Sequence, residues 1–190
     1  MNCHGEEKAY ELRVGRLFLL GEMREKVISM QNAKDSFYMA LRTRLVVINP
    51  LRTILLRGAV RPGILVEEAE APFSQPLNDV FIFRWLGLGV DLDLGSTMAA
   101  EQCEIIYQTC GTQSFGGLDR GRLLSKMDEE LLAMAQPFYT PKLNYATTLP
   151  EPMLTKVFWG EPGFGPIITQ RDLLSRSAKI IVYSYQEQGE

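Results

Sequence analysis

The sequence predicts an α+β fold: a mixed or mainly antiparallel sheet of about five strands with two main helices packed on one face, in the order α-β-β-β-α-β-β. Three observations lead there. Two stretches carry apolar residues at helical spacing, several shorter ones alternate with period two, and helices and strands do not alternate strictly. The last point disfavours a doubly wound nucleotide-binding sheet.

The chain has 190 residues, 46% hydrophobic and 23% charged, enough to bury one core. It divides into a charged N-terminal extension, residues 1–34, and a single α+β domain, residues 35–190. In the extension Leu12, Leu17, Leu20 and Met23 or Met30 form a patchy apolar stripe that Gly15 and Gly21 interrupt. It reads as a helical arm or as sequence upstream of the natural start, since Met23, Met30 and Met39 could each initiate. The apolar island at 17–20 is too short for a secretory core, and no apolar run reaches the roughly 18–20 residues of a membrane span. Synthesis in the cytoplasm is the expectation.

Asp35 and Ser36 are expected to cap the first helix, whose stripe is Tyr38, Leu41, Leu45 and Ile48 and which Pro50 stops. Thr53–Leu56 reads as short and extended. Strands are then expected at 63–71, 79–86 and 101–110, the second being richest in aromatic and β-branched residues. After the loop 111–117 a second helix buries Leu123, Leu124, Met127, Leu131 and Met134, with Asp128 and Glu129 outside, and Pro137 ends it. Residues 141–152 read as an irregular crossing, and 156–159 and 178–185 as the last two strands.

Little in the chain suggests chemistry. The only histidine, His4, lies in the extension, which removes hydrolase arrangements that need a positioned imidazole. Cys103 and Cys110 lack metal-ligand spacing. Seven residues apart on one predicted strand, they sit about 23 Å from each other, too far to bridge, so they read as reduced. The glycine-rich stretches 111–117 and 160–166 carry neither a P-loop ending nor GxGxxG, and read as turns. Asp91 and Asp93 could share a divalent ion, but a calcium loop needs several more oxygen ligands. Glu67, Glu68 and Glu70 read as a solvated acidic edge. No catalytic residue, cofactor-binding residue or metal ligand is therefore expected, no cofactor, and no enzyme.

Interface candidates are clearer. Phe115 and Phe164 sit in glycine-rich loops and Phe73 in a proline-containing one, positions where aromatic residues anchor partners. Glu67, Glu68 and Arg42 join them because charge is unevenly placed. Residues 1–62 hold 11 Lys/Arg against 6 Asp/Glu, and the remainder 9 against 17, which gives +5 and −8 and the net −3. Clustered basic blocks are lacking, so nucleic acid is not an expected partner, nor is a membrane.

The helix at DSFYMALRTRLVVI, the strands GILVEEAEA, DVFIFRWL and EQCEIIYQTC, the helix GGLDRGRLLSKMDEELLAMA and the strand AKIIVYSYQ together resemble the tail terminator (tail-completion) proteins of phage and phage-derived tails. The resemblance covers roughly residues 35–186 and is one of organisation, without a short diagnostic motif. It implies a structural assembly protein that forms a ring, a hexamer in that family, and caps the tail tube. Its partners would be copies of itself and tube, sheath or neck proteins, and it would end in a virion or phage-tail-like particle. A basic and an acidic side would then stack between unlike neighbours, and loops 72–78, 111–117 and 160–166 would carry the ring contacts. The alternatives are a small monomeric binding module and a carboxylate-based enzyme, the latter requiring a pocket near Asp91, Asp93 or Glu67.

Overall fold

Pro50 bars Asn49 from helical geometry, and the first helix, α1, runs over Gln31–Ile48 up to that point. The computed structural model describes residues 30–70, 76–91, 97–112 and 114–187. The extension before Met30, and with it the predicted arm, lies outside these residues. The helix starts a turn earlier than the expected caps. Asp35 and Ser36 lie inside it, and the Ser36 hydroxyl donates to Asn32 O at 2.7 Å, as serine does mid-helix. The stripe is also rotated: Ala33, Phe37, Leu41 and Leu45 are buried, Tyr38 is half-buried and Ile48 is exposed.

Among the described residues ten strands accompany two helices, a mixed α+β architecture with more strands than the expected five. Five precede the second helix and five follow it. Strands β1 (Thr53–Leu56) and β2 (Ala59–Pro62) form a hairpin about Arg57 and Gly58, both at positive φ, 51° and 79°. Two such residues make the turn whose twist suits a two-residue hairpin. Strand β3 (Ile64–Val66) pairs parallel with β4 (Phe81–Asp91). Strand β4 runs antiparallel to β5 (Met98–Thr109). The predicted strand at 63–71 is thus only three residues long, because the acidic stretch that follows turns away from the sheet.

A single 3₁₀ turn, Ser114–Gly117, leads into α2 (Leu118–Met134). The expected irregular crossing is instead a hairpin, β6 (Phe138–Asn144) and β7 (Glu151–Trp159). Strands β8 (Gly163–Phe164), β9 (Ile168–Gln170) and β10 (Leu173–Tyr185) complete the chain. The order across the sheet is β3-β4-β5-β10-β7-β6, with β8 and β9 also on β10. Strand β10 is its axis, antiparallel to β5 from Leu174↔Thr109 to Tyr185↔Met98.

Both helices cover one face. Alternate residues Phe81 and Phe83, Cys103, Ile105 and Tyr107, and Ala178, Ile180 and Val182 meet Phe37, Leu41 and Leu45 of α1 and Leu124, Met127, Leu131 and Met134 of α2. Phe37 is the hub, with ring centroids 6.4, 5.9 and 5.1 Å from Phe83, Trp85 and Trp159. On the opposite face Ile54 and Leu56 of the β1–β2 hairpin, with Leu77, seal a smaller cluster of Leu65, Val80 and Ile82. Burial pushes the Cys103 thiol up to about 12, and Cys103 and Cys110 are both free.

Candidate functional site

The sheet ends in two unlike edges. Strand β3 shields β4 only from Phe81 to Phe83, and beyond that no described strand lies on its outer side. A register shift between Trp85 and Gly87 marks a bulge there. Past it Leu86, Leu88 and Val90 are exposed, alternating with Gly87 and Gly89. The strand prediction stopped at Leu86, yet LGLGVD continues the period-two pattern; the two glycines hid it. At the opposite edge, β9 is exposed along its length, with Ile167 and Ile168 facing outward. Strand β6 forms the rest of that edge.

Charge is settled mostly inside the molecule. Arg52 is ion-paired with Glu130, both nearly buried, and Asn49 Nδ2 donates to the same carboxylate at 2.6 Å. Lys34 pairs with Glu101 and Arg61 with Glu70, each at 2.7 Å. All three basic residues come from the positive part of the sequence and all three acids from the negative part. Among the described residues, three of the six basic side chains of the positive part are thus paired with acids of the negative part.

Two further clusters are structural. Tyr107 donates to Asp128, which also accepts from Arg176 at 2.6 Å, so Asp128 faces the sheet and not solvent. Burial, and then Asp128, raise the Tyr107 phenol far above its ordinary range. On the uncovered face Glu104 stands between its cross-strand neighbours Arg84 and Lys179. Burial acts to raise its pKa, but the hydrogen bonds of Arg84 and Ser177 and the charges of Arg84 and Lys179 outweigh it and hold it below normal.

Of the predicted interface residues that the structure describes, Phe164 lies apart from Glu67 and Glu68. Glu67 and Glu68 lie in the turn after β3, half-buried and exposed respectively, where Glu67 N donates to Phe83 O at 2.9 Å. Arg42 is half-buried on α1, one turn beyond Tyr38. Phe164, 37% exposed, pairs with Ala178 on β10. That is four strand spacings from β3, about 19 Å. Phe73 and the side chain of Phe115 lie outside the described residues, as does Asp93, while Asp91 closes β4.

Among the described residues no group of three His, Cys, Asp or Glu is placed to hold a metal ion, and no helix is long and apolar enough to cross a membrane. No protein-family model matches the chain, and a search of curated proteins finds no match.

Proposed function

We propose that this chain is a structural assembly protein that joins copies of itself into a ring and, as its resemblance to tail terminators implies, caps the tube of a phage-like tail. It would be made in the cytoplasm and incorporated with tube, sheath or neck proteins. The observation that carries the reading is the pair of unlike sheet edges: exposed Leu86, Leu88 and Val90 on β4, and exposed Ile167 and Ile168 beside β9. A ring closes through a heterologous interface, one surface fitting a different surface of the next copy. Exposed apolar edges also invite pairing unless something covers them.

Light scattering over a range of concentration and salt tests this. The expected result is a species of about six times the 21.5 kDa chain. A strict monomer at high concentration would reject the ring and leave the monomeric binding module, which the cavity described next favours.

A further inference from the structure

We propose that the cavity between the first turns of α1 and the end of β3 is a binding site for an alkyl cation, a guanidinium or ammonium group on an aliphatic stem. This does not rest on the ring reading. The cavity measures about 320 Å³ and lies where β3 stops and β4 continues without a described outer neighbour. Tyr38, Phe83 and Trp85 supply aromatic walls, and Asp35, Glu68 and Glu70 carboxylates. Aromatic faces and carboxylates together suit a cation with an apolar stem.

The charge count selects the ligand's sign. Glu70 is already satisfied, by Arg61 at 2.7 Å and the Tyr38 hydroxyl at 2.5 Å. Lys34, also in the wall, is paired with Glu101. The other oxygen of Glu101, Oε2, is buried without a hydrogen-bond partner beneath that pair. Two carboxylates remain. Asp35 accepts only a neutral hydrogen bond, from Gln31 at 2.8 Å, and exposed Glu68 has no ion-pair partner among the described residues. Burial holds the Asp35 carboxyl above its ordinary value, outweighing the Gln31 hydrogen bond and the charge of Lys34. The molecule also shows that the Trp85 ring accepts a cation, since Lys34 Nζ stands 5.3 Å from its centroid.

The test is a tryptophan-emission titration of the full chain with N-acetylarginine amide and its neutral isostere N-acetylcitrulline amide. Trp85→Phe separates the cavity signal from that of buried Trp159. Saturable binding of the arginine compound, absent for citrulline and weakened at least about fivefold in Asp35→Asn/Glu68→Gln, supports the site. Glu68→Gln alone, at an exposed turn, keeps the test open should the Asp35 change disturb α1. Agmatine binding as tightly as the blocked amino acid would assign the site to free amines; weaker agmatine binding would assign it to an arginine side chain of another chain. No saturable signal at millimolar ligand, equal binding of citrulline, or undiminished affinity in the charge variants at an unchanged thermal midpoint would overturn the proposal.

Discussion

Strands β6 and β4 run along opposite sides of one sheet, and they treat their outer edges differently. In β6, Pro141 removes a donor and the register shifts before Leu143. The Leu143 N–H is taken by Ser36 Oγ at 2.9 Å, and Lys142, fully buried, donates to Tyr185 O at 2.8 Å. That edge is occupied by the chain's own groups. The β4 edge from 86 to 91 has glycines where β6 has proline and lysine, and exposes three large aliphatic side chains. The contrast teaches that exposure at β4 is not a general looseness of the sheet: β6 is blunted by its own groups, whereas β4 and, farther along the opposite edge, β9 are left exposed.

The largest effect is expected from breaking the β6 side. Lys142→Ala removes a buried cation 3.5 Å from Glu187 and the shortest hydrogen bond to Tyr185 O, which keeps only the longer ones from the Thr155 and Ser184 hydroxyls. The expected cost is about 3 kcal/mol in urea unfolding, and a change under about 1 kcal/mol would mean that β6 is held by something else. Ser36→Ala should cost about 1–2 kcal/mol, because the Leu143 N–H loses its acceptor; amide exchange at Leu143 should quicken with it. Leu88→Lys reverses the pattern. It should change stability by no more than about 0.5 kcal/mol and yet abolish association measured by light scattering. If association survives, the open edge is not the contact.

The smallest effect is one of pH. Burial would raise Glu187, but hydrogen bonds from the Thr155 hydroxyl and from Thr155 and Leu154 N–H groups, and the charge of Lys142, hold it below its ordinary 4.5. A depressed carboxylate stabilises the fold above its unfolded value and loses that contribution as pH falls through the folded one. Thermal midpoints should therefore drop below about pH 4.5, more gently in Glu187→Gln than in the parent chain.

Several elements were legible locally. Strands β4 and β5 and helix α2 lie largely where composition and periodicity put them, and of the expected α2 stripe Leu124, Met127, Leu131 and Met134 are buried while Leu123 is half-buried. Glu130 escaped notice because a charged residue beside the stripe reads as solvated until Arg52 is known to face it. The α1 stripe expected from spacing lies one residue out of phase with the buried one. Leu41 and Leu45 fit both phases, and only the docking of Phe37 among Phe83, Trp85 and Trp159 chooses between them. The candidate edge was half legible, since Leu86, Leu88 and Val90 keep period two while Gly87 and Gly89 carry no side chain to reveal it.

The sequence by itself determined which residues turn inward on β4, β5 and most of α2, though not on α1, because periods of 2.0 and 3.6 report a buried face without reference to a partner. The tertiary structure alone decided the partners. Pairing of β10 with β5, the parallel seating of β3, folding of 138–159 into a hairpin and the ion pairs of Lys34, Arg52 and Arg61 all join residues distant in the chain. Which strand meets which depends on how whole faces pack against two helices, and local patterning is nearly the same for every competing arrangement.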